Sequence, residues 1–165
     1  MLERKLKDSL INAERVALLG VGSELRGDDA AGVLVAGEFR GESAKFKVFI
    51  GGTAPENLTG EIKKFNPTHL IIVDSAEMSK PAGTVQLFEP EDIAGVSFCT
   101  HQLPLTILAG YIKESIGCKV LVIGIQPKKI NFSAGLSREV QKSIKYVSDT
   151  IKRVILSLDI GIGFC

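Results

Sequence analysis

Four short stretches of the chain are almost unbroken in apolar character: Val16–Val21, Lys47–Ile50, Leu70–Asp74 and Val120–Ile125. Runs of this length, rich in Val and Ile and apolar on both faces, predict strands of a parallel sheet covered by helices on both sides. Between them lie amphipathic stretches that predict helices over Asp29–Phe39, Pro55–Phe65, Pro104–Ile116 and Arg138–Leu156. Thr53 and Glu56, three apart with Pro55 between them, have the spacing of a capping box for the second helix. Thr84–Phe88 follows the turn-like Lys80-Pro81-Ala82-Gly83 too closely for an intervening helix, so an antiparallel edge strand is expected there. Leu2, Leu6 and Leu10 recur every four residues and predict a short extra helix over an N-terminal extension, residues 1–13. The glycine-rich end, Asp159–Cys165, is expected to be loose. The pattern as a whole predicts a single three-layer α/β domain spanning residues 1–165. Its sheet is mostly parallel, with about five strands, one of them an antiparallel edge, and helices on both faces.

Composition narrows the function classes. With 45% hydrophobic and 24% charged residues, the chain can bury a core and is not a disordered one. Twenty basic residues against nineteen acidic leave a net charge of +1, so no field of one sign favours nucleic acid or an anionic membrane. No apolar run approaches the roughly 18 residues of a membrane span, and the charged first residues do not read as a signal peptide. Cys99, Cys118 and Cys165 are odd in number and form no CxxC, which suits a protein of the reducing cytosol.

The loop after the first strand, Gly20-Val21-Gly22-Ser23-Glu24-Leu25-Arg26-Gly27-Asp28-Asp29, begins like a dinucleotide fingerprint but carries Leu25 where the third glycine belongs. Asp28 and Asp29 stand where the next helix should start and would repel a pyrophosphate. They suit an N-cap, the helix dipole or a cation. A second acid, Asp74, ends the third apolar run, at the sheet edge where ligands of open α/β folds bind. His101, just before the Pro104 helix, is one of two histidines; His69 has no acidic neighbour and reads as structural or solvated. Carboxylate, carboxylate and imidazole make a ligand set for a first-row divalent metal. Taken singly, each of the three reads equally well as a capping or hydrogen-bonding residue. A Cys99–His101 nucleophile–base pair competes weakly, because it lacks a third partner.

Taken in order, Gly20-Val21-Gly22 with Gly27-Asp28-Asp29 and Gly32, Gly51-Gly52-Thr53-Ala54-Pro55-Glu56, Val73-Asp74-Ser75-Ala76 with Pro81-Ala82-Gly83, Thr100-His101-Gln102-Leu103-Pro104, and Gly124-Ile125-Gln126-Pro127 resemble the hydrogenase maturation endopeptidases. The resemblance spans about residues 16 to 150 and looks nearest to the formate-hydrogenlyase, or hydrogenase 3, branch. It implies a cytoplasmic endopeptidase, catalogued as aspartic-type, that removes the C-terminal extension of a nickel–iron hydrogenase large-subunit precursor after nickel insertion. It implies that Asp29, Asp74 and His101 are the catalytic and metal-holding residues, with nickel as the metal, supplied by the substrate or replaced by another divalent ion. Gly51, Gly52 and Asp28 are then expected to meet the substrate. No nucleic acid or membrane span is expected, and the chain should be mostly monomeric. Ser23 and Ala30 depart from the family's usual Asn and Gly. The alternatives left open are a metal-binding assembly chaperone without peptidase activity and a nucleotide-binding module.

Overall fold

The structure, a computed structural model, describes residues 1–93, 96–98 and 104–161. Its elements run α1 (Leu2–Ser9), β1 (Val16–Val21), α2 (Ala31–Gly37), β2 (Phe46–Gly52), α3 (Thr59–Phe65), β3 (His69–Glu77), β4 (Val85–Phe88), β5 (Ser97–Phe98), α4 (Leu105–Ile116), β6 (Lys119–Ile125) and α5 (Arg138–Ser157). The sheet order is β2-β1-β3-β6-β4, and β5 adds to the end of β3. β1, β2, β3 and β6 are parallel. β4 closes one edge antiparallel to β6, as its short connection to β3 requires.

Every residue of β1 is buried, as are the first eight of β3, which explains their near-continuous apolar runs. One side of the sheet packs Leu18, Ile71 and Leu121 against Leu6 of α1, Val35 of α2 and Ile151 of α5. The other packs Leu19, Ile72 and Val122 against Ile62 of α3 and Leu108 of α4. These are the three layers expected, with a sixth strand, the two-residue β5, that no sequence run announced. Among the described residues no helix is long and apolar enough to cross a membrane.

Four local expectations are revised. The helices over 29–39 and 55–65 each begin as a 3-10 turn, Gly27–Ala30 and Pro55–Leu58, before becoming α-helical. The capping box is not formed, because the residue preceding the Pro55 turn is Ala54 and no side chain caps it. Leu2, Leu6 and Leu10 are buried in the main core, so the N-terminal segment is an integral part of the domain. The C-terminal tail is not loose from Asp159: Ile160 is buried, and its N–H donates to the Ile155 carbonyl at 3.2 Å.

His69 opens β3 nearly buried, its Nδ1 3.1 Å from Thr68 Oγ1. Desolvation, with a smaller contribution from the Lys119 charge, pushes its pKa below the ordinary value. The folded state therefore favours neutral imidazole. That preference contributes stability above the unfolded pKa near 6.5 and is lost as pH falls through the folded value. In His69→Gln the drop in melting temperature between about pH 7.5 and 5.5 should be smaller than in the wild type; an equal drop would remove His69 as its source.

Candidate active site

The connections in the sheet place one site. From β1 the chain crosses to β2 on one flank, then returns past β1 to β3 on the other. The gap between the C-terminal ends of β1 and β3 is thus a topological switch point, where parallel sheets open a crevice for ligands. Asp29 follows β1 and Asp74 lies in the C-terminal part of β3, so both are delivered to this gap.

Three glycines let α2 sit directly against the two strands. A Cβ on Gly32 would lie 2.1 Å from the Val73 carbonyl oxygen and 2.3 Å from that of Val21. One on Gly20 would lie 2.5 Å from the Gly32 carbonyl oxygen, and one on Gly22, at φ +138°, 1.8 Å from that of Asp29. The G-x-G of the first loop is therefore a close-packing device between helix and strand. It leaves no bare cradle for a phosphate, in keeping with the acids that follow it.

Asp28, Asp29 and Asp74 are all 0% exposed. Buried carboxylates require donors. Asp29 Oδ2 accepts the Ser23 N–H at 3.2 Å, and Oδ1 accepts the Ser75 hydroxyl at 3.0 Å. The Asp29 carboxylate thus lies against the end of β3, one residue from Asp74. Ser23, shorter than the family's usual residue, still organises its turn by accepting the Leu25 N–H at 3.3 Å.

Asp28 differs from the expectation. It neither caps the helix nor lies open to a substrate: Oδ2 accepts the N–H groups of Lys128 at 2.8 Å and Lys129 at 3.0 Å, and Oδ1 that of Ser137 at 2.7 Å. Gly51 and Gly52 end β2 beside β1, and the Gly52 carbonyl accepts the Gly22 N–H at 2.9 Å. Gly52 holds φ +56° with open space where a Cβ would project, while Gly51 is packed against Pro55 and Leu19. His101 and Cys99 lie outside the described residues. Cys118 is buried, and burial pushes its thiol pKa up, away from nucleophilic use. Among the described residues no three His, Cys, Asp or Glu side chains gather where a metal could sit; the third expected ligand, His101, is not one of them.

Two supporting residues escaped the sequence reading. Ser75 stands beside a strand-end acid but alternates to the opposite face of the strand, and only the fold shows that this face meets Asp29. Gln126, buried at the end of β6, braces the β3–β4 connection. Its Oε1 accepts the Met78 N–H at 2.7 Å and its Nε2 donates to Glu77 at 3.0 Å. Gln126 ends an apolar run and lies in the Gly124-Ile125-Gln126-Pro127 motif, but neither signal gave it this role.

A family model described as hydrogenase maturation protease matches residues 35–154. The chain belongs to that family. It is 34% identical, over 97% of its length and 99% of the relative's, to a protein of Methanocaldococcus jannaschii provisionally named a hydrogenase maturation protease. It is 36% identical to the hydrogenase 3 maturation protease of Escherichia coli K12, covering 79% of this chain and 84% of that one. The crystal structure of a nickel–iron hydrogenase maturation protease from Thermococcus kodakarensis superposes with a TM-score of 0.83 at 30% identity, over 92% and 99% of the two chains. The likeness extends to the hydrogenase 3 branch, as the motifs implied.

Proposed function

We propose that this chain is the endopeptidase that removes the C-terminal extension of a nickel–iron hydrogenase large-subunit precursor once nickel has been inserted, and that the precursor's nickel is what it recognises. The observation that carries the proposal is the convergence of Asp29 and Asp74, both fully buried, at the switch point of a maturation-protease fold. Two carboxylates enclosed together suit a cation. With the imidazole of His101 they form the mixed oxygen and nitrogen donor set that a first-row divalent ion accepts.

The nickel belongs to the substrate in this reading. Asp29, Asp74 and His101 complete its coordination when the precursor docks, so cleavage waits for the metal. Bound there, a divalent ion supplies positive charge that can polarise a carbonyl or a water. The chain's own part is orientation. The Ser23 N–H and the Ser75 hydroxyl hold the Asp29 carboxylate in one direction. Packing of α2 against β1 and β3 keeps that carboxylate from drifting. The reaction belongs in the reducing cytosol, where the three cysteines would remain thiols.

The test is intact-mass spectrometry of nickel-loaded and nickel-free precursor after incubation with the protein. Loss of a C-terminal peptide from the loaded form alone is expected. Cleavage of both forms would discard nickel as the signal. Cleavage of neither would leave a protein that binds the precursor without trimming it.

A further inference from the structure

Asp28 is a fully buried carboxylate with no place in the reaction just described, and the loops around it show what it does. Its oxygens take three main-chain N–H groups from the segment that follows β6, and its own N–H donates to the Lys129 carbonyl at 2.7 Å. Gly27, at φ +57°, brings the backbone so near that a Cβ there would lie 2.6 Å from the same carbonyl oxygen. Further out, the Ser133 N–H donates to the Leu25 carbonyl at 3.0 Å. Two loops about a hundred residues apart in sequence are thereby fastened into one surface.

That surface carries two large apolar side chains in the open: Leu25 is 68% exposed and Phe132 is 73% exposed. Charge-assisted bonds from three amides offset the cost of burying the Asp28 carboxylate. Since none of those bonds reaches the reacting groups, what they secure is the placement of the exposed loops. Exposed apolar residues on loops held by a rigid scaffold are a common basis for docking. The surface is continuous with the site, because the Leu25 turn begins at Ser23, whose N–H donates to Asp29.

We infer that Asp28 is a positioning residue that holds a two-loop docking face, with Leu25 and Phe132 as its apolar contacts for the precursor segment beside the scissile bond. The inference rests on the precursor being the substrate. A chain segment that reaches the Asp29 carboxylate lies against the Leu25 turn, and Phe132 extends that contact on the clasped loop.

Steady-state trimming of nickel-loaded precursor by the full-length protein tests it. The double variant Leu25→Ser/Phe132→Ser, altered only at exposed side chains, should raise KM about tenfold, with kcat within about twofold and an unchanged melting temperature. Asp28→Asn should raise KM similarly and speed amide exchange at Lys128, Lys129 and Ser137. An unchanged KM in the serine double variant overturns the inference. So does a fall in kcat at constant KM in Asp28→Asn, which would tie Asp28 to Asp29 alone. Should Asp28→Asn fail to fold, the serine double variant decides. If the wild-type protein trims no precursor, the proposed function fails and takes the docking face with it. If the wild type trims and the variants match its KM, only the docking face fails.

Discussion

Asp29→Asn is expected to abolish trimming of the precursor while leaving the fold and its melting temperature nearly unchanged. The side chain is fully buried, with the Ser23 N–H facing one oxygen and the Ser75 hydroxyl facing the other. Asparagine has the same shape. Its carbonyl oxygen can accept from Ser23, and its NH2 can donate to the Ser75 hydroxyl, which rotates to accept. These two bonds survive and no cavity opens, so destabilisation does not arise at these contacts. What disappears is the negative charge, which is the quantity a cation or a transferred proton requires. A loss on the order of 10²–10⁴-fold in kcat is the scale for removing one such group. Purified variant and wild type, matched by thermal melt, would be compared on nickel-loaded precursor by intact mass. Trimming by the variant at the wild-type rate would remove Asp29 from the reaction.

Gly32→Ala should be strongly destabilising, and Gly110→Ala should be harmless or stabilising. Both glycines are helical, in α2 and α4, and helix propensity alone favours alanine at each by roughly 0.5–1 kcal/mol. Their surroundings reverse the sign at one of them. The Gly110 Cβ position has nothing within 4 Å, so the propensity gain should stand. At Gly32 the new carbon would sit 2.1 and 2.3 Å from two strand carbonyls, and backbone cannot step aside as a side chain can. Overpacking of this kind costs typically ~1–3 kcal/mol, and rigid neighbours place it at the upper end. For a domain of this size that corresponds to a fall in melting temperature of about 10 °C. Activity should fall too, since lifting α2 off β1 and β3 displaces the turn that carries Asp29. Equal melting temperatures for the two variants would show that the close helix–strand contact is not what Gly32 serves.

Much of this architecture was legible along the chain. A strand buried on both faces must be apolar at every position, so β1, β3 and β6 stand out as continuous runs, and β1 was bounded correctly at both ends. The antiparallel sense of β4 followed from chain length alone, since the seven residues between β3 and β4 cannot make a crossover. Boundaries that depend on local hydrogen bonds were less visible. Thr53 and Glu56 have capping-box spacing, yet the turn begins after Ala54, because spacing does not set which backbone N–H a hydroxyl can reach. β5 is two residues long and too short for periodicity to register.

For the site the division is sharper. Residue type and position after a strand were enough to select Asp29 and Asp74, because an acid at the end of an apolar run is costly unless it is used. The same reading added His101 as the imidazole of a ligand set, and the family resemblance implied the chemistry. Nothing along the chain showed where the Asp28 side chain goes, although it is the neighbour of Asp29. Adjacent residues at the start of a helix point in different directions, and which one meets the crevice and which meets the loop after β6 is decided by partners about a hundred residues away. Sequence by itself determined the layers, the antiparallel edge strand and the acids at the sheet's C-terminal end, since these follow from local apolar pattern and connection length. Only the tertiary structure decided that Ser75 holds Asp29, that Asp28 fastens two loops, and that Gly20, Gly22 and Gly32 exist for close approach, because each depends on a contact between segments that the chain brings together only when folded.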